Sequence, residues 1–562
     1  MSRSPWRDFA SRRMTSHSRR DFLKASASAV LLASAQPSVS LLHALDPPSD
    51  DALRARLAAD PLRPQFHLLP AKNWMNDPNG PIYWKDHYHM FFQYNPNAAV
   101  WGDMHWAHAV SDDMIHWRHL PIALAPTPGW DDTDGCFTGS AVDDHGTATL
   151  LYTGVKTVPP ENATLRDGVQ NFREVQCLAT SSDPQLRTWN KSKTPVIEPP
   201  QDPRLMGFRD PFLWRGLHIA EMGRSSAAPL QDRGDAANYG DWWYLGVASG
   251  VRHEGGNVRL YRSKDLRHWE YLHPLASGQW TGKDSINPVD SGEMWECPDF
   301  FALGKKHVLL YSTAGGVYWE TGELDPKELV FHSEKRGVLD YGAYYAQKTQ
   351  LDEHGNRILW GWITEKRSDD ELRAAGWAGC MALPRVLSIG SDGALEMRFA
   401  PAVQSLRANA FDLPSQNSAD SRAAATRQIK IENLAGELEW KLRKPDGASD
   451  TQHIEFTLAD RSGPWLSLTL ESAKNSPARL TVNGKSVELP ANVSPERNFH
   501  LFLDGSVAEL ICDQRHAITT RIYRKPDGVL HLSLTNSDLQ PVTSFAAWQL
   551  QPISSDRLTS TS

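Results

Sequence analysis

The sequence predicts an all-β chain, a propeller of four or five blades over residues 60–395 followed by a β-sandwich over residues 400–553. Three observations predict it. From about residue 64 to 395, short runs rich in aromatic and β-branched residues (YHMFFQYN, ATLLYTG, WWYLGVAS, HVLLYST, RILWGWIT) are bounded by Gly, Pro, Asn and Asp, with few helical periods. Within them a phrase recurs: SDDMIHW ends at Trp117, SSDPQLRTW at Trp189 and SKDLRHW at Trp269. Steps of roughly 70–80 residues in an all-β chain are the size of four-stranded propeller blades. Past residue 430 strand runs return at regular intervals with NG and DG hairpin signals, the pattern of a sandwich.

Ahead of the first strand, residues 1–44 have a different character. SRRDFLK at 18–24 precedes a modest apolar run, ASASAVLLASA, and small residues. This pattern resembles the twin-arginine export signal, with Arg19 and Arg20 as the pair and Ala35 or Ala44 before the cut. The expected location is therefore periplasmic or secreted. The whole chain carries a formal net charge of −8, and loss of the basic leader leaves it more acidic. That balance excludes nucleic acid as the main partner. No later apolar run is long enough to span a bilayer, so no membrane partner is expected after signal removal. Five widely scattered cysteines with no CxxC suggest neither a disulfide framework nor a structural zinc site.

Between the two predicted domains, PAVQSLRANAFDLPSQNSADSRAAATRQ is polar and poor in aromatics and reads as a connector. The 26 residues between Arg215 and Trp242 read as an insert that overhangs a cleft or forms an outer blade loop. With 21 Trp residues, the chain is rich in flat platforms that suit a binding cleft for sugars, bases or cations.

Three acidic motifs carry the candidate chemistry: Asp77 in WMNDPNG, Asp210 in FRDPF and Glu296 in WECPDFF. Each acid lies beside aromatic residues and close to a Pro, and WMNDPNG reads as a turn at the end of an inner strand. In a propeller such junctions converge on the central axis. Two carboxyl groups facing one substrate suit glycoside hydrolysis, one ionised to attack and one protonated for the leaving group. Asn76, Asn79 and turn N–H groups favour the charged form of Asp77; Trp295 and Cys297 offer Glu296 an apolar setting that favours the protonated form. Arg209–Asp210 also reads as a plain structural pair. Six histidines gather at 87, 89, 105, 108, 116 and 119, but His105 and His108 fall on opposite strand faces, so no metal site is expected.

WMNDPNG, FQYNP with WGD, FTGSA, FRDPF, WECPDFF and GWAG…LPR, in this order over residues 66–390, resemble glycoside hydrolase family 32, the invertases, levanases and inulinases. The segment LFLDGSVAELICDQRHAITTRIY resembles that family's C-terminal sandwich. The resemblance implies a five-bladed β-propeller followed by a C-terminal β-sandwich, acting on β-fructofuranosides of sucrose or fructans by retaining hydrolysis with no metal or other cofactor. It implies Asp77 as nucleophile, Glu296 as general acid and then base, and Asp210, helped by Arg209, as the group that holds fructose hydroxyls. Trp74, Asn76, Gln93, Trp101, Phe137 and Thr138 would line the fructose subsite, with Trp362 as a further wall. Tyr341 to Tyr345 and Trp377 are candidates for outer subsites or for core. A fructosyltransferase would use the same acids, and a non-catalytic fructan-binding protein would lack them. An arabinan-acting relative shares the propeller but not WMNDPNG or WECPDF. Cys297, next to the acid, reads as a tuning group or as a structural thiol.

Overall fold

The computed structural model describes residues 50–216, 242–411, 430–443, 452–472, 476–490, 496–536 and 542–561. The export address, residues 217–241 of the insert and the 412–429 stretch of the connector lie outside the described residues. Five blades, each built on four antiparallel strands, form the propeller, and further strands extend the sheets of blades 1, 4 and 5. Their inner strands are Asn73–Trp84, Gly135–Asp144, Leu205–Arg215, Glu296–Leu303 and Tyr344–Leu351, for blades 1 to 5. Each inner strand touches the next, and the fifth touches the first, which closes the ring.

The recurring Trp phrase builds one turn three times, from the third to the fourth strand of blades 1, 2 and 3. In blade 1 the Asp113 carboxylate accepts the main-chain N–H groups of Ile115 and His116 (2.9 and 2.8 Å). The Trp117 indole then donates to the carbonyl of Met114, which sits in the left-handed region (3.0 Å, φ 67°). Asp183 with Leu186 and Trp189, and Asp265 with Leu266 and Trp269, repeat the arrangement. These tryptophans are turn anchors, so part of the Trp excess is architectural rather than a cleft signal.

Two glycines of GWAG tie the chain across blades. The helix Asp369–Ala375 starts on a capping box, Ser368 with Glu371, and stops at Gly376 in the left-handed conformation (φ 77°). The next two residues, Trp377–Ala378, add in parallel to the inner strand of blade 1. At Gly379 (φ 75°) a Cβ would stand 2.0 Å from the Met75 carbonyl oxygen, so only glycine fits against that strand. Trp377 is fully buried, donates to Asp60 (2.8 Å) and lies under Arg367; it is core, not an outer subsite.

The sandwich packs two six-stranded layers around a core centred on Trp440, stacked between Phe456 and Phe499 (4.7 and 4.9 Å between ring centroids). Its NG signal is a two-residue hairpin with both central residues left-handed, Asn483 (φ 44°) and Gly484 (φ 82°), as the strand twist requires. One sandwich layer is continuous with blade 4, because Asp340 pairs in parallel with Ala517.

Buried charges hold the two domains together. Asp504, on a sandwich hairpin, accepts the N–H groups of Gln65, Phe66 and His67 (2.6, 2.9 and 3.1 Å). Both ring nitrogens of His67 face carboxylates, Nδ1 to Asp504 (2.7 Å) and Nε2 to Glu509 (2.9 Å). Arg385, of the LPR motif, bridges Asp340 (3.0 Å) and Glu509 (2.6 Å). With two acceptors, both nitrogens of His67 must donate, so the ring is an imidazolium. Burial alone would lower its pKa, but the bonds to Asp504 and Glu509 outweigh it and raise the value to about 9. A histidine whose folded pKa is raised stabilises fully below its unfolded value near 6.5 and loses that contribution as pH climbs toward about 9. Thermal unfolding of the wild type and His67→Gln across pH 6 to 10 checks this: the variant melts several degrees lower at pH 6, and the gap narrows as pH rises through 9. A gap independent of pH would show that the ring is not charged there.

Candidate active site

WMNDPNG is not a turn. It runs inside the twelve-residue inner strand of blade 1, where Met75 pairs with Tyr94 and Pro78 with Phe92, so Asn76 and Asp77 together oppose Gln93. The extra residue is a β-bulge, which takes a side chain out of the ladder and re-aims it. Every inner strand has one at the corresponding depth: Thr138 in blade 2, Asp210–Pro211 in blade 3, Cys297–Pro298 in blade 4 and Ala346–Gln347 in blade 5. The prolines make sense there, since a bulged residue lacks a ladder partner and the missing N–H costs nothing. Asp210 (φ 58°), Cys297 (φ 50°) and Ala346 (φ 54°) are left-handed. Each such non-glycine residue costs about 1–2 kcal/mol, strain of the kind that gathers at functional sites.

The bulges bring the three acids together, each less than 4% exposed. A relay of hydrogen bonds surrounds Asp77. The Trp74 indole donates to Asn76 (2.8 Å), and the Asn76 amide donates to Gln93 (2.7 Å) and to Asp77 Oδ1 (2.9 Å). The Gln93 amide donates to Thr138 (2.7 Å), whose hydroxyl donates to Asp77 Oδ2 (2.6 Å). Each donor fixes the orientation of the next group, so both oxygens of Asp77 are aimed. Trp74, Phe137 and Trp362 belong to one apolar cluster, with Trp101 packed on it; Trp362 meets Trp74 edge to face (5.7 Å) and Trp101 meets Phe137 (6.0 Å). Hydrogen bonds and ring contacts link Trp74, Asn76, Asp77, Gln93, Trp101, Phe137, Thr138 and Trp362 around Asp77, and Arg209 with Glu296 and Asp210 adjoin them through Cys297.

Two electrostatic expectations change. The carboxyl group of Glu296 does not have an apolar setting: Arg209 donates to its Oε1 (2.8 Å) and the Tyr345 hydroxyl to its Oε2 (2.6 Å). Arg209 is not bonded to Asp210 either, but to Glu296 and to the buried Glu174 (2.6 Å). Asp210 is pushed up to about 7 by burial and by the nearby charges of Glu296 and Asp77, against the pull of Arg209. Cys297 lies between two of the acids. Its N–H and its thiol donate to Asp210 (2.9 and 3.4 Å), and the thiol also lies 3.6 Å from Asp77. Burial, then Asp210 and Asp77, hold that thiol well above its ordinary pKa, so it remains a neutral donor.

Sequence reasoning missed Glu174 altogether, because nothing marks it in REVQCLATS. Of the Tyr341–Tyr345 run, Tyr345 reaches the acid; Tyr344 is buried under Arg385 and Tyr341 packs on His516 of the sandwich. Of the six histidines, His89 and His108 bond to each other (2.8 Å), while His87 and His116 pair with Asp112 and Asp113. Among the described residues the cluster with metal-ligand geometry is Glu437, Glu439 and His500 in the sandwich, and the Arg407 guanidinium already spans both glutamates (2.6 and 2.9 Å).

The N-terminal domain of the glycosyl hydrolases family 32 matches residues 67–224 and 235–398. The chain is 34% identical to a sucrose-6-phosphate hydrolase of Escherichia coli over 520 residues, 87% of this chain and 94% of that one. It is 38% identical to a raffinose invertase of Escherichia coli over 362 residues, 61% of this chain and 66% of that one. Among solved structures, a beta-fructofuranosidase of Bombyx mori superposes with a TM-score of 0.66 at 28% identity, over 88% of this chain and 95% of that one. Fructan 1-exohydrolase IIa of Cichorium intybus gives 0.67 at 26% identity, over 88% and 98%. With the bulged acids, the ring of five blades and the sandwich in the same order, these matches establish that the chain belongs to glycosyl hydrolase family 32.

Proposed function

We propose that this β-fructofuranosidase-type hydrolase releases fructose from the non-reducing end of sucrose or of fructans by double displacement. The observation that carries the reading is the relay ending on Asp77, which orients both its oxygens, together with a Glu296 held by Arg209 and Tyr345. Asp77 attacks the anomeric carbon while Glu296 gives its proton to the departing oxygen. A covalent fructosyl-enzyme forms and the leaving sugar departs with that proton. Glu296 then takes a proton from water, whose oxygen displaces Asp77. Two inversions give net retention. Asp210 and the Asn76 and Gln93 amides bind fructose hydroxyls, and positive charge on the ring in the transition state is stabilised by the surrounding carboxylates. Asp77→Asn and Glu296→Gln each lower kcat on sucrose by about a thousandfold or more with the fold intact. ¹³C NMR at C2 of the first-formed fructose shows the β-anomer; the α-anomer would overturn double displacement.

The relatives include hydrolases named for a phosphorylated sucrose, and we propose that this chain takes the neutral sugar. A cavity of about 550 Å³ adjoins the Trp101–Phe137 wall. Its ionisable lining groups are Asp103, Asp134 and His105, with neither Lys nor Arg to meet a phosphate dianion. Turnover of sucrose, sucrose 6-phosphate, inulin and levan under one condition checks this. Sucrose exceeds its phosphate in kcat/KM by at least about tenfold, the effect of one uncompensated charge contact; equal values would sink the assignment. Products longer than the substrate would instead identify a transferase.

We also propose export through the twin-arginine signal. Five cysteines that are all free and buried support a protein that folds without disulfides before it is carried across.

A further inference from the structure

We infer that Glu174 is a positioning residue for the acid/base group: it clamps Arg209 so that one arm of the guanidinium meets Glu296, and it divides the cation between two carboxylates. This inference rests on the fructosyl-hydrolase reading above. Glu174 lies on the third strand of blade 2, Phe172–Ser181, and is fully buried. Each of its oxygens is occupied. Oε2 accepts the Phe208 N–H (2.6 Å) and the Thr164 hydroxyl (3.0 Å), and Oε1 accepts Arg209 Nη1 (2.6 Å). Phe208 directly precedes Arg209, so one carboxylate grips both the main chain and the side chain of the bulged FRDPF strand. Arg209 Nη2 then reaches Glu296 (2.8 Å). The guanidinium is planar and rigid, so fixing one arm fixes the other.

The charge argument has a definite sign. Asp210 lies near both Arg209 and Glu296, and the Tyr345 hydroxyl bonds Glu296; Asp77 and Cys297 adjoin Asp210, with Lys348 on the Pro298 carbonyl behind them. Arg209 favours ionised Glu296, and Glu174 weakens that pull by sharing the cation and by adding a like charge. Loss of the Glu174 charge therefore makes Glu296 give up its proton at lower pH. A general acid must hold its proton in the free enzyme, so Glu174 extends activity toward higher pH.

The test compares kcat/KM for sucrose against pH in the wild type, Glu174→Gln and Glu174→Asp, with folding checked by circular dichroism. The basic limb moves to lower pH by about one unit in the Gln variant and by less in the Asp variant, which keeps the charge but draws it back. A folded variant that keeps the wild-type limb, or loses the same factor of activity at every pH, overturns the proposal. If Glu174→Gln does not fold, the Asp variant decides alone by the same criterion. Wild-type turnover of sucrose tests the underlying reading separately. Carboxyl ¹³C NMR on glutamate-labelled protein, with Glu296 assigned through Glu296→Gln, follows the same shift whether or not sucrose is cleaved.

Discussion

Four carboxyl groups, Asp77, Glu174, Asp210 and Glu296, are buried close together, and the Arg209 guanidinium bonds two of them, Glu174 and Glu296; the sharing of that cation shapes the site. Buried like charges cannot all ionise at no cost. The structure settles the conflict unevenly. Glu174 and Glu296 take the cation. Asp77 takes neutral donors, two of them side chains held by further side chains. Asp210, left with a main-chain N–H, a thiol and no bonded cation, carries the raised proton affinity. The donors are therefore shared unevenly among the four acids, and each donor orients the carboxyl group it reaches.

That distribution depends on backbone irregularity. A regular inner strand would place successive side chains on alternate faces of the blade, none along the axis. A bulge at the same depth in all five strands turns Asp77, Thr138, Asp210, Glu296 with Cys297, and Tyr345 with Gln347 into a single lining. The amide of Gln347 donates to the Cys297 carbonyl (2.9 Å) and accepts from Ser312 (2.8 Å), so the blade 5 bulge braces the blade 4 bulge that carries the acid. Three left-handed non-glycine residues are tolerated because such contacts fix them from both sides.

Strand content, the blade-sized repeat, the sandwich and the three acids were legible in the sequence because each leaves a local mark: alternating aromatics, a Ser–Asp–Trp phrase, NG and DG turns, acids next to proline. The meaning of those prolines was not. Asp-Pro-Asn-Gly has turn chemistry, and one chain cannot distinguish a turn from a bulge inside a paired strand, since both need an unpaired N–H. The setting of Glu296 was misjudged for a related reason. Its sequence neighbours are apolar, but its partners come from blades 3 and 5, 87 and 49 residues away. Glu174 lies on a third strand with no motif, and only the fold shows that it faces Arg209.

The sandwich is tied to blades 4 and 5. Blade 4 carries Glu296 and shares a sheet with the sandwich through Asp340 and Ala517. The Asp340 carboxylate accepts from Thr519 (2.7 Å), from Arg385 of blade 5 (3.0 Å) and from the Gly342 N–H (2.8 Å) at the passage into blade 5. That passage leads directly into Tyr345, the residue that meets Glu296. An ion network buried between domains is a poor source of stability, since desolvation offsets most of its attraction, but it is intolerant of displacement. A shift of the sandwich would strand charges at Asp340, Arg385 and Glu509 while pulling on the two strands that position the acid and its phenol. The C-terminal domain thus braces blades 4 and 5 through the Asp340 network.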